Sequence, residues 1–232
     1  MWTTEWSAAT PRTSISKSKM KLLLFKNILL VLLTVTFITV GEKSAVAIEE
    51  VPYTVIEQNG AFELRQYSPH IVAETMVEGE FDQVGNEGFR RLADYINGEN
   101  RSKQSIAMTA PVNQEAQPEK IAMTAPVGQE KSGDRWRITF VMPAKYVLDT
   151  LPEPIDSRIE IKQEPGRLMA AVRYSGTWSR KRYEENKERL LAWIEERGSK
   201  QTAEPVWARY NPPFMPWFLR RNEIMIPVDT HN

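Results

Sequence analysis

Between Ser105 and Glu130 the chain writes one phrase twice. Ile106-Ala-Met-Thr-Ala-Pro-Val112 returns as Ile121-Ala-Met-Thr-Ala-Pro-Val127, and in each copy a Gln-Glu pair follows one residue later. Such a match is one structural unit repeated, and its spacing limits what that unit can be. Ile, Met and Ala fall on one face of an extended segment while Ala and Thr fall on the other, so each copy predicts a short strand. Proline lacks the N–H a ladder needs, which puts Pro111 and Pro126 at strand ends, bulges or an edge. The polar residues between the copies predict a solvated turn, and the pair a hairpin on a sheet. Methionine beside small side chains makes a soft apolar surface, suited either to adaptable core packing or to the wall of a flat, greasy ligand.

The rest of the chain fits around that hairpin. Asn59-Gly60 lies between two alternating runs, Tyr53 onward and Phe62–Tyr67, and predicts a tight hairpin. A further strand runs over Ile71–Val77. Phe81, Val84, Gly88, Leu92 and Tyr95/Ile96 recur at helical spacing and predict an amphipathic helix closed by Gly98. A strand over Trp136–Met142 follows. Beyond the proline-punctuated link at residues 151–154 the order repeats: strands near Arg158–Lys162 and Leu168–Tyr174, a helix from about Ser179 to Arg197, then strands at Val206–Tyr210 and Glu223–Val228. Each half has one helix with one apolar stripe, too little to cover a sheet alone, so we expect a single domain with an internal pseudo-twofold.

The N-terminus reads differently. A lysine-bearing segment leads into an apolar run between Asn27 and Val40, closed by Ala45-Val46-Ala47. That order predicts an export signal cut after Ala47, delivering residues 48–232 to a periplasmic or equivalent lumenal space; the alternative is a retained anchor over residues 22–40. In that second case the membrane is a partner only through this segment. Residues 1–19 are set aside from the fold.

Composition removes several functions. The 232 residues carry 30 basic and 30 acidic side chains, but the first 47 hold six basic and two acidic ones, leaving a mildly acidic body. Nucleic acid is therefore not an expected partner, since it calls for a basic footprint. Cysteine is absent, which excludes thiol catalysis, thiolate haem ligation and cysteine zinc sites. Of the two histidines, His231 is penultimate and His70 follows Pro69 at a strand break, either a surface turn residue or a ligand. With one usable histidine, a histidine metal cluster or a Ser-His-Asp triad is hard to assemble.

Two other features carry chemistry. By alternation Glu223 shares a strand face with Met225 while Ile224 and Ile226 take the other, so Glu223 is either a buried acceptor facing a cavity or a salt-bridge partner of Arg220 or Arg221. The preceding loop, residues 210–222, combines Phe214, Met215, Trp217 and Phe218 with three prolines and two arginines. It is either an aromatic lid beside paired positive charge or a loop folded back on the core.

The doubled phrase, Phe140-Val-Met-Pro143, Tyr210-Asn-Pro-Pro213 and Arg220-Arg-Asn-Glu223 together resemble the signatures of the SOUL haem-binding family, over roughly Val51 to Val228. The resemblance implies an α+β fold, a distorted antiparallel barrel of about eight strands with two helices. It implies haem or another porphyrin as a non-obligatory ligand, held without catalysis on an apolar groove. The architecture is also similar to effector-binding domains of multidrug regulators, in which a glutamate placed like Glu223 meets other flat apolar molecules. Some members carry a proposed iron-ligating histidine within an Arg-His-Tyr triplet; here the triplet is Arg65-Gln66-Tyr67. Ligation then falls to His70, to a methionine or tyrosine, or to nothing. We expect Met108, Met123 and Phe214 against the porphyrin faces, with Arg220 or Arg221 near the propionates and Glu223 in the pocket. The competing enzymatic reading is a small hydrolase or isomerase using Glu223 with Tyr67 or Tyr210.

Overall fold

The computed structural model describes residues 48–103 and 117–229. Their backbone is dominated by one antiparallel sheet of ten strands. Its members are β2 (Tyr53–Asn59), β3 (Phe62–Tyr67), β4 (His70–Val77), β7 (Val127–Ser132), β8 (Arg135–Val141), β10 (Ile159–Glu164), β11 (Leu168–Tyr174), β12 (Lys200–Gln201), β13 (Val206–Arg209) and β14 (Asn222–Asp229). Two short pairs lie apart from it: β1 (Glu49–Glu50) with β6 (Thr124–Ala125), and β5 (Asn100–Arg101) with β9 (Glu153–Pro154). The helices are α1 (Phe81–Ile96) and α2 (Arg180–Glu196).

The strand order is β10-β4-β8-β7-β13-β14-β11-β3-β2, with β12 paired to β14. About the β7–β13 contact the order is a mirror of itself once halves are matched: β4 answers β11, β8 answers β14, and β7 answers β13. Each half also lends a strand to the other. β3 leaves its neighbour β4 in sequence to pair with β11, and β10 leaves β11 to pair with β4. Among the described residues β10 and β2 do not pair, so the expected barrel is an open ladder at that seam. The sheet nevertheless curls, because Val72 of β4 and Met169 of β11, far apart in the order, line one cavity.

Alternation sorts the side chains onto two faces. Ile71, Ala73, Val77, Ile138 and Phe140 pack under α1 with Val84, Leu92 and Tyr95. Leu64, Val172, Ile224 and Ile226 pack under α2 with Tyr183, Leu190 and Ile194. The inner face carries Tyr67, Met169, Ala171, Ala208 and Met225. Two glycines set how closely α1 sits: a Cβ on Gly88 would lie 2.4 Å from Ile138 Cγ1, and one on Gly85 would lie 2.7 Å from Arg209 Nη2. α2 starts where Ser179 Oγ accepts from the Arg182 N–H.

Within the second copy of the doubled phrase, Ile121 is buried, Met123 is exposed, Thr124–Ala125 pairs with β1 and Val127 begins β7. The expected pairing of the two copies with each other involves residues outside those described. The hairpin β7–β8 starts at the end of the second copy and turns at Gly133 (φ +57°). The first copy, with Met108, the segment 1–47 and His231 lie outside the described residues.

Candidate functional site

The groove that gathers apolar side chains lies beside α1. It is a cavity of about 240 Å³, walled by Phe89 of α1, Met123, Trp178, and the turn Tyr210-Asn211-Pro212-Pro213, with Arg209 at the end of β13 among its lining. Each wall has a local cause. Phe89 sits on the outer side of α1 and leans edge-on against Phe140, 5.3 Å between centroids. Met123 is held out by the pairing of the next two residues and by Thr124 Oγ1, which donates to the Val141 carbonyl at 2.5 Å. Trp178 is fixed by its Nε1–H, which donates to Asn222 Oδ1 at 2.8 Å. Asn211 Oδ1 accepts the Arg221 backbone N–H at 2.6 Å and sets the turn.

Of the described residues expected at a binding site, Met123 lies on this groove, and His70, Phe214, Arg220, Arg221 and Glu223 are not part of its lining. Phe214 is 85% exposed and is not part of the groove's lining, which its neighbour Pro213 joins. The loop is neither a closed lid nor folded into the core, since Trp217, Phe218 and Leu219 are more than half exposed as well. Arg220 is spent on that loop: Nε donates to the Met215 carbonyl at 2.8 Å, Nη2 to the Pro213 carbonyl, and its guanidinium lies 4.5 Å from the Trp178 ring centre. Arg221 donates to Glu50 and to Glu223 and covers the Tyr210 ring at 3.7 Å. His70 is half-buried at the start of β4, with Nδ1 2.9 Å from the Ser68 carbonyl oxygen, and it lines other cavities. Among the described residues no group of three or more histidine or carboxylate side chains is placed to hold a metal ion.

Glu223 occupies the inner face, on the same side of β14 as Met225, as alternation requires. It is fully buried, but it is not a free acceptor. Arg65 Nη1 donates to Oε2 at 2.7 Å, Arg221 Nε to Oε1 at 3.0 Å and the Tyr210 hydroxyl to Oε2 at 2.9 Å. Burial alone would raise its pKa, yet the bonds and charge of Arg65 and Arg221 outweigh that and hold it below the usual carboxylate value. Burial pushes Tyr67 up to about 12 and Tyr210 well above its ordinary value. A carboxylate held by two guanidiniums, beside two phenols that stay protonated, has no site left for a proton or a cationic ligand. The inner cavity beside them is only about 70 Å³, room for roughly two waters. At its far end Arg137 gathers Glu74, Glu130 and Glu164 into a second ion cluster.

Arg65 and Arg209 are the residues that reading along the chain missed. Arg65 appeared only as the first member of a triplet. Arg209 shares a β13 face with Trp207, the helix-covered face, and a guanidinium alternating with tryptophan in a buried strand is the signal that marks it.

This arrangement defines a class, the α+β domains with one curled antiparallel sheet and two helices on its outer side. The model of the SOUL heme-binding protein family matches residues 48–227, and the chain belongs to that family. It is 26% identical to heme-binding protein 1 of Xenopus laevis over 170 residues, 72% of this chain and 84% of that protein. To human heme-binding protein 2 it is 27% identical over 176 residues, 72% of this chain and 81% of that one. Among solved structures, a hydrolase from Listeria innocua superposes with a TM-score of 0.50 at 11% identity, over 72% of this chain and 91% of that one, a likeness of fold alone.

Proposed function

We propose that this chain binds haem or a related tetrapyrrole, without catalysis, in the groove between α1 and the Tyr210–Pro213 turn. The observation that carries the reading is the groove's lining: phenylalanine, methionine, tryptophan and paired prolines, with no histidine. Family membership and the names of the two heme-binding relatives support the ligand class. At about 240 Å³ the cavity is smaller than the roughly 300–1,000 Å³ of most enclosed ligand sites, so a flat macrocycle enters by one edge and leaves the rest at the surface. Affinity then comes from covered ring faces, at about 25 cal/mol per Å² before association costs. Bound haem would supply iron, but the groove offers it no imidazole.

Titration with haemin and with iron-free protoporphyrin tests this. Both are expected to bind with comparable affinity, and Phe89→Asp, at a helix position 40% exposed, is expected to weaken both. Neither porphyrin binding, or haemin alone binding with a sharp low-spin spectrum that His70→Ala removes, would overturn it.

We also propose that residues 1–47 direct export, on the strength of the lysine-bearing start, the apolar run and Ala45-Val46-Ala47. N-terminal sequencing of the native protein checks this: Ile48 as first residue supports cleavage, and an intact segment in the membrane fraction opposes it.

A further inference from the structure

Among the described residues, the other arginines buried in the sheet have carboxylates. Arg65 pairs with Glu63 and Glu223, and Arg137 with Glu74, Glu130 and Glu164. Arg209 forms no ion pair. Its Nε is buried with no hydrogen-bond partner, and its nearest polar contact is Gln129 Oε1, 3.5 Å from Nη2. The guanidinium is wedged between Trp207 and Trp178, 5.0 and 5.5 Å from their ring centres, and against the bare backbone of α1 at Gly85. Desolvation lowers its pKa to about 10. A buried cation with no counter-ion is costly, several kcal/mol after relaxation, and contact with two indole faces offsets about 1–2 kcal/mol each at best. This cation is on the lining of the apolar groove.

We propose that Arg209 receives the carboxylate of the molecule bound in the groove, so that the site selects an amphipathic anion, a flat apolar body bearing at least one acid group. This rests on the groove being the binding site, and it deepens that reading by naming what the ligand must carry. The geometry favours it over a purely structural arginine for two reasons. The glycine at position 85 leaves the guanidinium its room, where any Cβ would lie 2.7 Å and 2.9 Å from the two terminal nitrogens. And Arg209 is the one charged side chain among the residues that line the groove, with its Nε buried and unpaired. It also replaces Arg220 and Arg221, both occupied elsewhere, as the residue that meets an acid.

The test compares protoporphyrin with its dimethyl ester on the full chain, for wild type, Arg209→Lys and Arg209→Met, with melting curves for each variant. Wild type is expected to bind the acid about ten- to a hundred-fold more tightly than the ester, the worth of one charge-assisted hydrogen bond. Arg209→Met should erase that preference by weakening the acid while leaving the ester unchanged, and Arg209→Lys should keep part of it. Equal binding of acid and ester by wild type overturns the anion role and leaves the groove reading standing. Equal weakening of both by Arg209→Met assigns Arg209 a structural role and also overturns it. Binding of neither overturns the groove and the inference together. Should Arg209→Met fail to fold, the acid-to-ester ratio on wild type and Arg209→Lys still decides.

Discussion

Arg65 and Glu223, 158 positions apart in the chain, meet at 2.7 Å on the inner face of the sheet. They belong to β3 and β14, and β11 lies between those strands. In register, Met169 of β11 sits opposite Arg65 and Arg173 opposite Glu223; Ala171 between them has no reach beyond Cβ and leaves the guanidinium a path across.

Breaking that pair from one side leaves a buried charge alone. Arg65→Met is expected to cost about 3–5 kcal/mol in urea unfolding, and Arg65→Met with Glu223→Met to recover much of the loss. A loss in the double variant equal to the sum of the Arg65→Met and Glu223→Met losses would show that the two residues are not coupled.

Acid should destabilise the fold through the same carboxylate. Burial would raise Glu223 and Glu74, but their arginine and lysine partners prevail and hold both below the ordinary 4.5. The unfolded chain therefore takes up their protons first, and stability is lost as pH falls from about 4.5 through the lower folded values. Glu130 runs the other way: burial raises it despite Arg137, so its contribution is lost as pH rises through the window above 4.5. Melting temperature against pH should thus fall below about 4.5, less steeply in Glu223→Gln, while Glu130→Gln gains on wild type above that window. An unchanged acid slope in Glu223→Gln would refute the assignment.

The two close-packed glycines of α1 should respond differently to alanine. At Gly88 the added carbon would meet Ile138 at three carbons, two of them within 2.6 Å, and Ile138 is fully buried. α1 must lift, at about 1–3 kcal/mol. At Gly85 the obstacles are the far ends of Arg209 and Gln129, which can move. Gly85→Ala should stay within about 1 kcal/mol of wild type, helped by helix propensity, yet change affinity for the acid porphyrin and not for the ester. Equal destabilisation by both would show that α1 is seated by backbone contact at Gly85 too.

Phe214→Ser should do nothing. Replacing a side chain 85% exposed is expected to alter stability by less than about 0.5 kcal/mol and porphyrin affinity not at all. A clear loss of affinity would return Phe214 to the ligand's side.

What could be read from the residues alone follows from the range of the forces involved. The order of strands and helices, the buried stripe of α1 and the side of β14 taken by Glu223 are set by periodicity within a few residues, and they were legible. The partner of Glu223 was not, because β3 reaches β14 only by pairing with β11, a contact between distant segments. The pairing of β1 with Thr124–Ala125 was not legible for a related reason: alternation marks an extended segment but not the distant segment that it meets. The exposure of the aromatic loop was not legible either, because composition shows what a loop carries and not how much of it packs against the rest of the chain.

The exchange of β3 and β10 between halves has a consequence for how the protein is made. A chain emerging from the ribosome releases β3 well before β11, with which it pairs, and β4 well before β10. At about 5–20 residues per second, β3 waits several seconds with apolar Phe62 and Leu64 and its backbone edge uncovered. The first half cannot be banked as a finished unit during synthesis, so something must shield that edge until the second half arrives, or the whole chain must be kept unfolded until it is complete.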